Sequence, residues 1–315
     1  MRFADELVDP GRLTPSKAKR APTKREIDMA GRLVGSLHAD FHADAFDDDY
    51  RDRVHELIAA KARGETPDVK PEQSPGKQAD LAAALEASLP GAGADGALAG
   101  TGSLSFGLVN VPVALVSGVR DLKLHFHELH EKDGARIAVQ RWCPRHRAEV
   151  PIEEVAHSYE TDDGETVVVS DLELDAVAPQ RTRTIEIEQF VDIADVDPVL
   201  FDHPYFLIPV GDDDGTLRAY ALLTEVMARS DRAPLGRFVM RAKEYLVIVR
   251  AQDDVMSLTT MRFGDEIRNA DGIDTASGKA SQPKSRELEA ATAVIQELTA
   301  DWEPERFKDR YRQRL

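Results

Sequence analysis

GSLSFGLVNVPVALVSG, residues 102–118, is the stretch on which the fold turns. Leu104 and Phe106 alternate with Ser103, Ser105 and Gly107, which puts the two apolar side chains on one face of an extended chain. From Leu108 to Val116 the run is apolar except at Asn110 and Pro112. A Val- and Leu-rich segment bounded by glycine and broken by one proline reads as two short strands or as one bent strand.

Downstream the pattern stays mostly β as far as Arg262. Leu122, Leu124 and Phe126 alternate with Lys123, His125 and His127, which predicts a strand. Glu131-Lys132-Asp133-Gly134 reads as the turn into a partner strand over Arg136–Arg141. Further strands are expected at Thr166–Val169, Thr184–Ile187, Tyr205–Ile208 and Val255–Arg262, with a hairpin over Arg237–Arg241 and Tyr245–Arg250. Ala219–Ala228, with Leu222, Leu223, Val226 and Met227, reads as a helix. Many short strands with few helices suggest a β-barrel or a sandwich.

The two ends of the chain repeat each other. MRFADEL at Met1–Leu7 returns as MRFGDEI at Met261–Ile267. After a single-residue gap, Ile27, Ala30, Val34, Leu37 and Phe41 correspond to Leu288, Ala291, Ile295, Leu298 and Trp302. Phe46, Asp48, Tyr50, Arg51 and Arg53 then correspond to Phe307, Asp309, Tyr311, Arg312 and Arg314. Two copies are too few for a solenoid, so a duplicated terminal segment is the economical reading. Steps of three and four place each apolar set on one helix face. In the second copy Ser285 reads as the N-cap and Pro304 as the first turn of a further helix carrying Phe307 and Tyr311. In the first copy that further helix continues through Val54, Leu57 and Ile58 to Gly64, whereas the second copy stops at Leu315 and reads as cut short.

Between the first copy and the strand region the composition changes. Gly64–Gly76 is rich in proline and charge and reads as a linker. Lys77–Leu89 is a short amphipathic helix with Leu81, Leu85 and Leu89 on one stripe, and Pro90–Gly102 is a second linker. GAGADG, residues 91–96, matches G-x-G-x-x-G literally but follows no strand and opens no βαβ helix, so it is not read as a nucleotide site.

The 315 residues suffice for about two domains. With 57 Asp and Glu against 40 Lys and Arg the net charge is −17, which argues against a generally basic nucleic-acid coat protein. A single cysteine, Cys143, excludes an internal disulfide and fits a reducing compartment. No apolar run approaches the roughly 18 residues of a membrane span, and MRFADE lacks the apolar core of a secretory signal. The expectation is a soluble cytoplasmic protein.

The wording of residues 102–118, with its FGLVN-x-PV core, resembles the opening of the bacterial Ku proteins, the DNA-end-binding factors of non-homologous end joining. Leu124–Ile137, Leu174–Pro209, Tyr220–Met227, Arg237–Arg250 and Thr260–Arg268 resemble further family segments in family order, so the resemblance spans Gly102–Leu315. It implies a mainly β fold with α-helices. Residues 102–268 would form a Ku-like β-barrel core and 269–315 a helical C-terminal arm. Residues 1–63 look like a partial second copy of that arm, and 64–101 like a linker holding the 77–89 helix, which is similar to the family's tail helix. The resemblance also implies a homodimer that rings a double-stranded DNA end without reading sequence and recruits the ATP-dependent repair ligase, ligase D. Leu288, Ile295, Leu298 and Trp302 would pack the dimer arm, Leu81, Leu85 and Leu89 would dock the ligase, and the protein would be nucleoid-associated.

A ring around DNA needs positive charge on its inner face, whatever the net charge. Acidic blocks at Asp47–Asp49, Asp162–Asp163 and Asp212–Asp214 read as outer turns or arms. Arg181 and Arg183 stand at alternate positions of one expected strand and so share a face, and Arg229, Arg232, Arg237, Arg241 and Lys243 crowd a second stretch. Within the resemblance, the DNA-facing candidates are Arg181, Arg183, Arg229, Arg232, Arg237 and Lys243. The alternative is an acidic protein-interaction module that keeps the fold and has lost DNA-end binding.

His125, His127, Cys143 and His146 are the residues on which a zinc site could draw, but one thiol would need about three imidazoles beside it, and no metal or other cofactor is assigned. G-x-S-x-G, the Walker-type G-x-x-x-x-G-K-[ST] and H-E-x-x-H are all missing, so no catalytic residues are expected and the chain does not read as an enzyme.

Overall fold

The computed structural model describes residues 2–13, 15–65, 98–107, 109–124, 126–179, 183–240, 243–252, 254–268 and 284–314. In chain order its helices are α1 (Lys24–Ser36), α2 (Asp49–Ala62), α3 (Asp171–Val177), α4 (Asp214–Ser230) and α5 (Ser285–Leu298). The strands are β1 (Leu98–Phe106), β2 (Val109–Ser117), β3 (Trp142–Cys143), β4 (Ala148–Glu149), β5 (His157–Glu160) and β6 (Thr166–Val169). They continue with β7 (Thr184–Asp192), β8 (Phe201–Pro209), β9 (Arg232–Met240), β10 (Lys243–Gln252) and β11 (Val255–Met261).

Residues 102–118 form a hairpin rather than one bent strand. Gly107, at φ 59°, turns β1 into β2, a left-handed conformation that glycine adopts without steric cost. Leu104 and Phe106 face inward as their alternation predicts, and Val111 and Val113 flank the exposed Pro112. Seven strands close a barrel in the order β1-β2-β8-β11-β10-β9-β7. The β1–β7 pair is parallel and the other pairs are antiparallel. This resolves the barrel-or-sandwich alternative, and closure leaves no free sheet edge along most of its circumference. Helix α4 packs against the barrel through Leu223, Val226 and Met227, sharing one core with Val247, Val249, Met256 and Leu258. Tyr220 pins it there: its buried hydroxyl donates to the Leu207 carbonyl at 2.7 Å and accepts from the Met256 N–H at 2.8 Å.

The approach of β7 to β9 leaves no room for a side chain at Gly236. A Cβ there would stand 2.8 Å from the Glu186 carbonyl carbon and closer still to its oxygen, beside the register shift between Ile187 and Gln189.

Three local expectations fail. Residues 122–124, 126 and 136–141 form no regular strands; one bridge, Leu129 to Arg136, spans the Glu131–Gly134 turn. Leu124, Phe126, Ile137 and Val139 stay exposed, so alternation without a sheet to bury against did not make a strand. The N-cap of α5 is Lys284, with Ser285 the first helical residue. Pro304–Arg306 and Arg312–Arg314 are 3-10 turns, not a helix. Asp309 accepts the Arg312 N–H at 3.1 Å, as Asp48, the cap of α2, accepts that of Arg51 at 3.1 Å.

The N-terminal segment folds onto the barrel of its own chain. Val8 donates to the Gly118 carbonyl at 3.0 Å and packs against Phe206 and Val255. Helix α1 begins at a capping box of Thr23 and Glu26 and buries Val34, 1% exposed, in the main core beside Ile27 and Ala30. Residues 37–39 then run alongside β7 where β1 no longer covers it. Phe190 donates to the Leu37 carbonyl at 2.9 Å and Ala39 donates to the Phe190 carbonyl at 3.0 Å. Phe46 joins Phe263, Leu246 and Ile248 in a second cluster, and α2 sets Leu57 and Ile58 against Val167 and Val169.

Candidate nucleic-acid interface

Between β2 and β5 the described residues of 120–156 leave the barrel as a mostly exposed excursion, braced by the turn at Gly134 (φ 71°) and by the β3–β4 pair. Its core sequence, RIAVQRWCPRHR at residues 136–147, holds Arg136, Arg141, Arg145 and Arg147 and no carboxylate. All four arginines are exposed, and none forms an ion pair among the described residues. In a chain of net charge −17 this is a local block of uncompensated positive charge. The composition of these twelve residues was there to be read; expecting a plain strand pair hid it.

The cations singled out from sequence are differently placed. Arg183 precedes β7 at φ 50°, so its relation to Arg181 is not that of alternate strand positions; Arg181 lies outside the described residues. Arg183 is exposed, with no ion pair among the described residues, and its carbonyl accepts the Ser103 N–H at 3.0 Å. Lys243 opens β10, exposed, with its ammonium 5.2 Å from the centre of the Tyr245 ring. Arg229 is held by Glu225 one helical turn away, at 2.6 Å, and Arg232 stands 3.8 Å from Asp192.

Arg237 is engaged most heavily. It reaches Glu188 at 3.1 Å, Glu244 at 3.2 Å, Asp49 at 3.4 Å and the Asp47 carbonyl at 3.1 Å. Burial works against its charge, but Glu188, Glu244 and Asp49 outweigh it and hold the guanidinium above the usual arginine range. Burial also pushes the Glu244 carboxyl up against the pull of Arg237. Arg237 therefore fastens the N-terminal segment to β9 and is no free cation for a phosphate. The acidic block at Asp47–Asp49, on the N-terminal arm, is part of that fastening.

Of the zinc candidates, His125 lies outside the described residues, His127 is exposed, and Cys143 Sγ lies 3.5 Å from His146 Nδ1. Among the described residues no group of three or more His, Cys, Asp or Glu could hold a metal. The arm residues Leu288, Ile295, Leu298 and Trp302 are exposed, at 52%, 66%, 78% and 64%. Leu81, Leu85 and Leu89 lie outside the described residues.

The family model of Ku, the Ku70/Ku80 beta-barrel domain, matches residues 105–290, the stretch that builds most of this barrel. The chain belongs to the Ku family. It is 38% identical over 216 residues to the non-homologous end joining protein Ku of Anaeromyxobacter sp. (strain K), covering 68% of this chain and 71% of that protein. To the non-homologous end joining protein Ku 1 of Geotalea uraniireducens (strain Rf4) it is 37% identical over 216 residues, 68% and 80% of the two chains. To the Mycobacterium tuberculosis (strain H37Rv) Ku it is 36% identical over 219 residues, 68% and 78%. Residues 1–104 lie outside the Ku match, so the helices seated on the barrel from the N-terminal side are not part of the domain that defines the family. Among the described residues no helix is long and apolar enough to cross a membrane.

Proposed function

We propose that this Ku chain binds double-stranded DNA ends without sequence preference in non-homologous end joining, acting as a binding protein and not as an enzyme. The observation that carries the reading is the unpaired arginine block at Arg136–Arg147, standing clear of a Ku barrel. Phosphate contacts supply most sequence-independent affinity, and a guanidinium free of carboxylates has no ion pair to give up before meeting a phosphate. Arg183 and Lys243 join this set, and Arg181 is kept with them from the sequence. Encircling an end takes a second barrel, and the family resemblance makes the assembly a homodimer. The repair ligase would dock on Leu81, Leu85 and Leu89, in a nucleoid-associated setting.

The test compares equal masses of linear duplex and covalently closed circular DNA by electrophoretic shift over a salt series. Binding to the linear form alone, weakening with salt, is expected of a threaded ring. Equal binding to both would replace the ring with a surface patch. Binding to neither at low salt and micromolar protein would overturn DNA-end recognition and leave the acidic interaction module.

A further inference from the structure

The two terminal repeats grip each other. Each opens with the same device: Glu6 accepts the Phe3 N–H at 2.9 Å, and Glu266 accepts the Phe263 N–H at 2.8 Å, each closing a 3-10 turn. The tail of the first repeat then reaches the head of the second. The turn at Ala43–Ala45 packs on that at Gly264–Glu266, and Arg51 pairs with Asp265. The tail of the second repeat reaches the head of the first by the equivalent contacts: Pro304–Arg306 packs on Ala4–Glu6, and Arg312 pairs with Asp5. In sequence Arg51 corresponds to Arg312 and Asp265 to Asp5, so one contact is made twice, in reciprocal directions.

The barrel breaks this symmetry. The first repeat lays Val34 into the barrel core at 1% exposure, with Ile27 packed beside it. Their counterparts in the second repeat, Ile295 and Leu288, are 66% and 52% exposed on α5, a helix with no buried residue. The second repeat thus carries a barrel-docking face with no barrel beneath it. The face that would receive it, along α4 and the free side of β7, is filled by the chain's own α1 and residues 37–39.

We propose that the N-terminal arm is a plug held in cis, which must leave its barrel before the C-terminal arm of a second copy of this chain can dock there. The occupant fitted to the α5 face is that second barrel, because the corresponding residues of α1 already seat on the same surface. In the exchanged dimer Arg312 of one copy takes the place of Arg51 beside Asp265 of the other. A tethered arm acts at an effective concentration of about 1 mM, so at about 10 μM chain it outcompetes an equal arm in trans roughly 100-fold. The unperturbed chain is therefore monomeric without DNA. The inference concerns assembly alone and is tested in the absence of DNA, so its failure leaves the DNA-end reading to its own experiment.

The test is light scattering after size exclusion on the full chain at about 10 μM, using the ratio from that same competition. V34D with R51E releases the plug without altering the barrel or the C-terminal arm. The expected result is a monomer for the unaltered chain, a dimer for V34D/R51E, and a monomer again when I295D and L298D are added. A peptide of residues 23–63, supplied in excess, should also return V34D/R51E to the monomer. A dimeric unaltered chain that I295D/L298D dissociates while the α1 amides stay protected from exchange would overturn the proposal. So would a folded V34D/R51E that stays monomeric. If V34D/R51E fails to fold, the milder V34A/R51Q is read the same way: dimerisation tightened at least about tenfold supports the plug, and unchanged dimerisation overturns it.

Discussion

The arginine block makes a quantitative prediction about salt. The perturbation is R136Q/R141Q/R145Q with R147N. Asparagine is chosen at the last position because Arg147 sits at φ 51°, and Asn tolerates the left-handed region that a long side chain avoids. None of the four side chains is paired among the described residues and all are exposed, so the fold should be unaffected. Each cation that neutralises a phosphate adds about 0.9 to the slope of log K against log salt, so losing four removes up to about 3.6. Between about 50 and 200 mM salt, the unaltered chain should lose roughly 150-fold more affinity for a linear duplex than the variant loses. Fluorescence anisotropy with a labelled linear duplex over that range measures both slopes. R229Q is the control, since Arg229 is held by Glu225 and should leave the slope alone. A variant that binds more weakly with an unchanged slope would refute the reasoning, because the arginines would then act through something other than phosphate contact.

The remaining predictions concern the scaffold. Y220F removes the hydroxyl that donates to the Leu207 carbonyl and accepts from the Met256 N–H; at about 1–3 kcal/mol for each buried bond lost, urea unfolding should show a loss of about 2–6 kcal/mol with the m-value unchanged. G236A forces a methyl group onto the Glu186 carbonyl and should cost more than any of the surface arginine changes, measured by the same unfolding curve. The Glu173 carboxyl is held down to about 2, first by Lys61 at 2.7 and 2.8 Å and then by the Ser170 cap. A carboxyl depressed in the folded state stabilises fully above its ordinary range and loses that contribution as pH falls through about 2. Thermal unfolding from pH 7 to 2 should therefore show an acid limb that E173Q flattens, with E173Q the less stable protein at pH 7 and the difference vanishing in acid.

The sequence by itself carried the strands and, through the resemblance, the family; that the strands close into a barrel and not a sandwich was decided by their pairing in space. The strands at Thr166–Val169, Thr184–Ile187, Tyr205–Ile208, Arg237–Arg241 with Tyr245–Arg250, and Val255–Arg262 fall within or close to β6–β11. These residues bury at least one face, and burial writes a period into the sequence. The helix at Ala219–Ala228 lies inside α4 for the same reason. Where nothing is buried the period misled: Leu122, Leu124 and Phe126 alternate like a strand but find no sheet.

Only the tertiary structure decided which charges are free. Arg237 and Arg141 are the same residue type in similarly basic stretches, yet one is clamped by Asp49, Glu188 and Glu244 and the other stands open. Asp49 and Arg237 are far apart in the chain, and pairing depends on distance in space, which charge counts along a sequence do not carry. Burial was decided in the same way: Val34 of α1 lies in the barrel core, whereas Ile295 of α5, at the matching place in the apolar pattern, is exposed.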